Sequence, residues 1–288
     1  MAEDTNPQTR TDLTTNIEQI KTKAEELKDQ PDRVNDAFGN IVLAVRVTGW
    51  GFFGLVGGGG AEAVVDRLWD ERDKVLKYIE DAGTKLAELI KGIAVPITFI
   101  NYANAWRDVA SAITNAGTQI DETKLNAHWT GIAAEAYENS RIRQAKPCGQ
   151  QALPASCETI ATSLEDVAVK TLELYREIVE AILSLISSIG EIVAAAATGP
   201  VAAAQTGDIV AAIGNAYNAI AQAVGSIASS AQNSIINGNK IAQASSDIDG
   251  LPDNKWPPMA VDANSVFDDA TVLDGTNKWS VKTDRVTQ

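Results

Sequence analysis

Little in this chain could do covalent chemistry. One histidine, His128, and two cysteines, Cys148 and Cys157, are its whole stock of imidazole and thiol. No Cys/His spacing resembles a metal set. The glycine run "GFFGLVGGGG", residues 51–60, lacks both the GxGxxG spacing and the terminal GK[ST] of a phosphate loop. Carboxylate pairs are plentiful, as on any acidic helical protein, and single out no position. The reading is therefore a non-enzyme, with no catalytic, cofactor-binding or metal-binding residues. Aromatic residues are also scarce, at 6%, against 45% hydrophobic residues overall. A core built mainly of Ala, Ile, Val and Leu favours long helices over sheet. Positive charge is in deficit: the net charge is −14. That argues against nucleic acid as a partner.

The opening "MAEDTNPQTRTD" has no basic segment followed by an apolar one, so no Sec signal peptide is expected. The longest charge-free stretch, residues 209–239, carries Asn215, Asn218, Asn233, Asn237 and Asn239. That is too polar for an ordinary membrane span.

What is abundant is helical period. Leu13, Ile17, Ile20, Ala24 and Leu27 form a first stripe, with Thr11 or Asp12 as its cap. A second, short helix is expected over residues 32–47. It would end at the glycine-rich loop that holds Trp50, Phe52, Phe53 and Leu55. Those four make a candidate tip for a membrane or a partner; the alternative is a loop folded back on the bundle. From residue 61 to 126 the stripe runs through Val65, Leu68, Val75, Ile79, Leu86, Ile90, Ile93, Ile97, Ile100, Val109, Ile113, Ala116 and Ile120. Pro96, helped by Gly92, predicts a kink or short break inside it. A helix from 132 to 143 follows. Next comes a loop, "KPCGQQALPASC", then helices over 155–197 and 201–247. From Asp249 the period disappears, and Trp256, Phe267 and Trp279 could pin an extended tail. The expected organisation is residues 1–60, N-terminal helices and apolar loop; 61–197, a helical hairpin; 198–248, a last helix of the same bundle; and 249–288, the tail.

Between the long stripes lies "WTGIAAEAY", residues 129–137. Gly131 would give the backbone freedom for a sharp reversal, Trp129 the apolar area to fix the exit angle, and Thr130 a hydroxyl to cap the next helix. Trp129 and Gly131, followed by Ala133, Ala134 and Tyr137, resemble the WxG-type, Esx-like substrates of type VII secretion over roughly residues 100–195. The length is closer to the larger LxG-type or PE/PPE-like relatives. The resemblance implies an all-α, elongated bundle of antiparallel helices joined at the WxG turn. It also implies recognition by the secretion apparatus and no catalytic residues. The family's Tyr-x-x-x-Asp/Glu signal is not present in clean form: Arg141 follows Tyr137, and Val179 follows Tyr175, at the fourth position.

Cys148 and Cys157, with eight residues between them, are expected to form a disulfide in the exported protein. Closing so short a loop would contribute about 2–3 kcal/mol in an oxidising compartment. The alternative is two free thiols. The leading functional reading is a secreted or cell-surface helical protein that binds a helical partner or forms homo-oligomers. A second is a membrane-active, α-helical pore-forming component. A third is a structural or scaffolding protein.

Overall fold

The computed structural model describes residues 5–52, 60–124, 130–198, 201–246 and 248–257. Among them there is no strand, and the all-α class holds. Seven helices follow in order: α1 (Thr5–Lys28), α2 (Gln30–Phe52), α3 (Gly60–Gly92), α4 (Val95–Glu122), α5 (Ile132–Ala145), α6 (Leu153–Ala196) and α7 (Ala202–Ser246). The chain divides into two compact units. One comprises Met1–Asn104 and Ala161–Asn239; the other comprises Ala105–Ile160 and Lys240–Gln288.

In the first unit, all five apolar positions of the α1 stripe are buried, so the three-to-four spacing identified the core face. They join Phe38 and Ile41 of α2, Leu68 and Leu86 of α3, Ile182 and Leu185 of α6, and Ile213 and Ile220 of α7 in one cluster. Small residues set how closely α3 and α7 approach. A Cβ on Gly214 would stand 3.3 Å from the Tyr78 ring, and that ring stacks on Tyr217 with centroids 5.2 Å apart. Where α7 begins, Arg67 Nη2 donates to the Ala203 carbonyl at 2.6 Å. The same guanidinium lies 3.5 Å from Glu71 Oε1, while the buried Glu71 Oε2 has no protein partner.

The expected break near Pro96 is present. α3 ends at Gly92, Ile93 and Ala94 form a turn, and Pro96 occupies the first turn of α4, where a missing N–H costs nothing. The Ile97 amide bonds to Ala94 instead of reaching back to Ile93. The Ile93 carbonyl is thereby released, and it accepts the hydroxyl of Tyr175 from α6 at 2.9 Å.

Several expectations need correction. α1 starts at Thr5, so Thr11 and Asp12 are interior rather than capping; Thr11 Oγ1 donates back to the Pro7 carbonyl. α2 does not stop at residue 47. It continues through Trp50 to Phe52 despite Gly49 and Gly51, so the backbone of Trp50 and Phe52 is helical and not loop. Phe53 and Leu55 lie outside the described residues. Val109 and Ala116 are exposed, because α4 turns Ala103, Ala110 and Gly117 inward instead.

Candidate functional site

The second unit holds the WxG-like stretch. Trp129 lies outside the described residues, as does His128; Thr130 and Gly131 are described. Gly131 is the N-cap of α5, with φ 104° and ψ −179°. This combination is essentially restricted to glycine, because a Cβ would crowd the neighbouring carbonyl. Its carbonyl accepts the Glu135 amide at 3.1 Å. No side-chain hydroxyl caps α5, so the role expected of Thr130 is not taken up.

Two contacts fasten α5 to the end of α4. The Tyr137 hydroxyl donates to the Thr123 carbonyl at 3.0 Å. Arg141 donates Nη1 to Asp121 at 2.7 Å, and Nε and Nη2 to the two oxygens of Glu138 at 2.8 and 2.7 Å. As the chain advances along α5 its partners recede along α4. The forked guanidinium on one carboxylate holds Glu138 below its ordinary range. The hydrogen bonds to Glu138 and Asp121 push Arg141 upward in turn. Both residues remain charged throughout the neutral range. On the solvent side of this corner, Tyr137 and Ile142 are exposed apolar surface.

The cysteines are both buried and both free, so the expected disulfide is not formed. They do not share one loop. Cys148 closes a short 3-10 turn, Lys146–Cys148, whereas Cys157 lies inside the first turns of α6. Pro154 belongs to the first turn of α6, where proline starts a helix and does not break it. Cys148 packs against α4 so closely that a Cβ on Gly117 would stand 2.8 Å from the Cys148 Cβ. Burial pushes both thiols up; for Cys157 the neighbouring Glu158 charge adds to it. Raised, buried thiols are poor nucleophiles.

The end of the described chain is tied to this corner as well. Lys146 Nζ meets Asp249 at 2.7 Å, the Trp256 indole donates to the Gln144 amide oxygen, and Gln144 Nε2 donates to the Pro257 carbonyl at 2.7 Å. Trp256 thus does pin its segment, while Phe267 and Trp279 lie outside the described residues. Sequence reasoning did not single out Arg141, Gln144 or Gly117. Their roles depend on which helix faces them, and local spacing carries no such signal.

Among the described residues, no group of three His, Cys, Asp or Glu side chains could hold a metal ion. In unit 1, Leu43 and Val47 stand on the outer face of α2 at 60% and 70% exposure, about two turns and one turn before Trp50. The segments Glu62–Glu122 and Ala134–Ala196 each contain an 18-residue window apolar enough to cross a membrane, with mean hydropathy 1.3 and 1.9. In α6, however, Ile178, Ile182, Leu185, Ile189 and Ile192 are spent on the core. A core helix of a soluble protein passes the same test of length and composition. Compared with known proteins, the chain matches no protein family, no curated protein and no solved structure.

Proposed function

We propose that this is a non-enzymatic helical protein of the type VII secretion, Esx-like class, exported by that route and acting by binding a helical partner or by homo-oligomeric assembly. The observation that carries the reading is the corner at Gly131. A glycine-only backbone conformation follows the Trp-Thr pair, and Tyr137, the aromatic member of the small-small-x-x-Tyr pattern, bonds back to the last turn of the preceding helix. In this reading Gly131 and Tyr137 belong to a helical-hairpin turn at which the chain reverses between α4 and α5. Exposed Tyr137 and Ile142 give the turn an apolar side that recognition by the secretion apparatus would bury. In this reading the chain after 248, which includes a short 3-10 turn at Pro252–Asn254, serves as a tail.

Export is tested in the source cells with and without their type VII ATPase. The chain is expected outside only when the ATPase is present; equal release from both strains defeats the proposal. Trp129→Ala sharpens the test. A variant that folds and melts like the parent but stays inside the cell supports recognition at the turn. One that is exported normally defeats that role.

A second reading, a membrane-active α-helical component, is favoured by one observation. Leu43 and Val47 of α2 are exposed, beside Arg46 and Thr48, so its outer face carries apolar side chains as well as polar ones. Leakage of dye-loaded vesicles by the full chain, abolished by deleting residues 49–60, is the expected result under that reading. No leakage rules it out. A structural or scaffolding role is the third reading, and no observation here favours it.

A further inference from the structure

Not every apolar residue of α4 faces the core of its own chain. Within the second unit, Trp106, Val109, Ile113, Ala116 and Ile120 follow one another at steps of three, four, three and four. That is the a/d spacing of a seam between two helices. Trp106 and Val109 are 38% and 44% exposed, Ala116 is exposed, and Ile113 and Ile120 are half-buried. The contacts of α4 inside this unit run along the next line instead, where Ala110 and Gly117 are buried and Gly117 meets Cys148. On the other side of the seam stand Ala105, Ala112 and Gln119, all exposed and all uncharged. Asp108 and Glu122 lie further round, on the far side of the helix.

Size and charge decide what fits this seam. Its largest side chain, Trp106, and its smallest, Ala116, are ten residues apart. Two copies of the seam running antiparallel set a positions against d positions. With the two-fold axis at the height of Ser111, Trp106 of each copy faces Ala116 of the other, and Val109 faces Ile113. Each layer then matches a larger side chain with a smaller one, and each match occurs twice. A parallel pair would set Trp106 on Trp106 and Ala116 on Ala116, one layer overfilled and one underfilled. Charge points the same way. In a chain of net charge −14, this is a face on which a second copy meets no carboxylate.

We infer that two copies of this chain associate through antiparallel α4 seams, with Trp106 packed on Ala116 and Val109 on Ile113 across the two-fold axis. About four turns of helix bury less than a standard interface, so the association is expected in the micromolar range. The inference rests on the homo-oligomeric branch of the proposed function and gives it a surface and a direction. The two fail separately: a strictly monomeric chain that still needs the ATPase for export defeats the pairing and leaves the export proposal standing.

Sedimentation equilibrium of the full chain across the micromolar range should show a reversible monomer–dimer equilibrium. Val109→Glu, at an exposed position, should leave the melting temperature unchanged and weaken association by more than about tenfold, because each dimer would bury two unpaired carboxylates. Spin labels on Ala105→Cys, Ala112→Cys and Gln119→Cys, one at a time, read the direction by electron–electron distance; the native thiols are buried and stay unlabelled. Antiparallel seams put the two labels at 112 within about 3 Å of each other along the axis, and part those at 105 and 119 by about 18 and 24 Å. A chain that is monomeric throughout, a dimer that tolerates Val109→Glu, or equal separations at all three positions overturns the inference.

Discussion

Tyr175 and Tyr137 each donate a phenolic hydrogen to a carbonyl at a helix end, one in each compact unit. Tyr175 reaches from α6 to Ile93, at the break before α4; Tyr137 reaches from α5 to Thr123, just past the end of α4. The bond lengths are nearly the same, 2.9 and 3.0 Å. The surroundings are not. Tyr175 is 2% exposed among core residues, while Tyr137 stands at the surface at 36%. Water can replace the hydroxyl at Thr123 but cannot easily reach Ile93. The buried bond therefore matters mainly for what its loss would leave behind, an unpaired carbonyl in an apolar medium. The surface bond contributes only its small net value and, more usefully, a direction for α5.

The comparison can be broken by substitution. Tyr175→Ala should have the largest effect, about 3–5 kcal/mol, since it removes a buried ring as well as the hydroxyl. Tyr175→Phe isolates the hydroxyl and should cost about 1–3 kcal/mol. Thermal unfolding measures both. A Tyr175→Phe protein that melts with the parent would mean that the Ile93 carbonyl finds another donor.

Burial also pushes the Tyr175 phenol up, to about 12. Its phenolate is disfavoured in the folded state, so this contribution is fully present below the unfolded value near 10. It is lost as pH rises from there through about 12. Alkaline unfolding should therefore begin in that window and be accompanied by a late phenolate absorbance step, which Tyr175→Phe removes. A step that is already complete near pH 10 would contradict the burial.

Next in size is Gly131→Ala. Among the described residues beyond its chain neighbours nothing lies within 4 Å of the added Cβ, so the expected cost is backbone strain, about 1–3 kcal/mol. Chemical denaturation should show a lower midpoint with an unchanged slope. A neutral result would show that α5 can start with another backbone conformation. Tyr137→Phe should be the mildest, about 0.5–1.5 kcal/mol. If it costs as much as Tyr175→Phe, solvent access is not what separates the two bonds.

Long apolar periods were the legible part of the sequence. They located α1, α3, α6 and α7 and, in α1, every core residue named. They failed where small residues did the packing. Ala110 and Gly117 carry too little apolar area to register in a pattern, yet they are the buried line of α4, so Val109 and Ala116 were assigned inward wrongly. Glycine and proline misled in a similar way. Gly49 and Gly51 cost helix propensity, which α2 overrides. Pro154 has the composition of a loop around it, yet it opens a helix. The partners of Tyr175 could not be foreseen at all, because they depend on a contact across 82 residues of chain.

That separation has a consequence during synthesis. The break at Ile93 and Ala94 is made by residues already present when α4 emerges, but the hydroxyl that completes it belongs to a residue 82 positions later. At typical translation rates the interval is about 4–16 seconds. Throughout that time the Ile93 carbonyl is served by water, and α3 and α4 are joined at a bend without its internal tie. The ribosome thus delivers the hinge first and its latch afterwards, so the core that encloses Tyr175 closes only once α6 has been made.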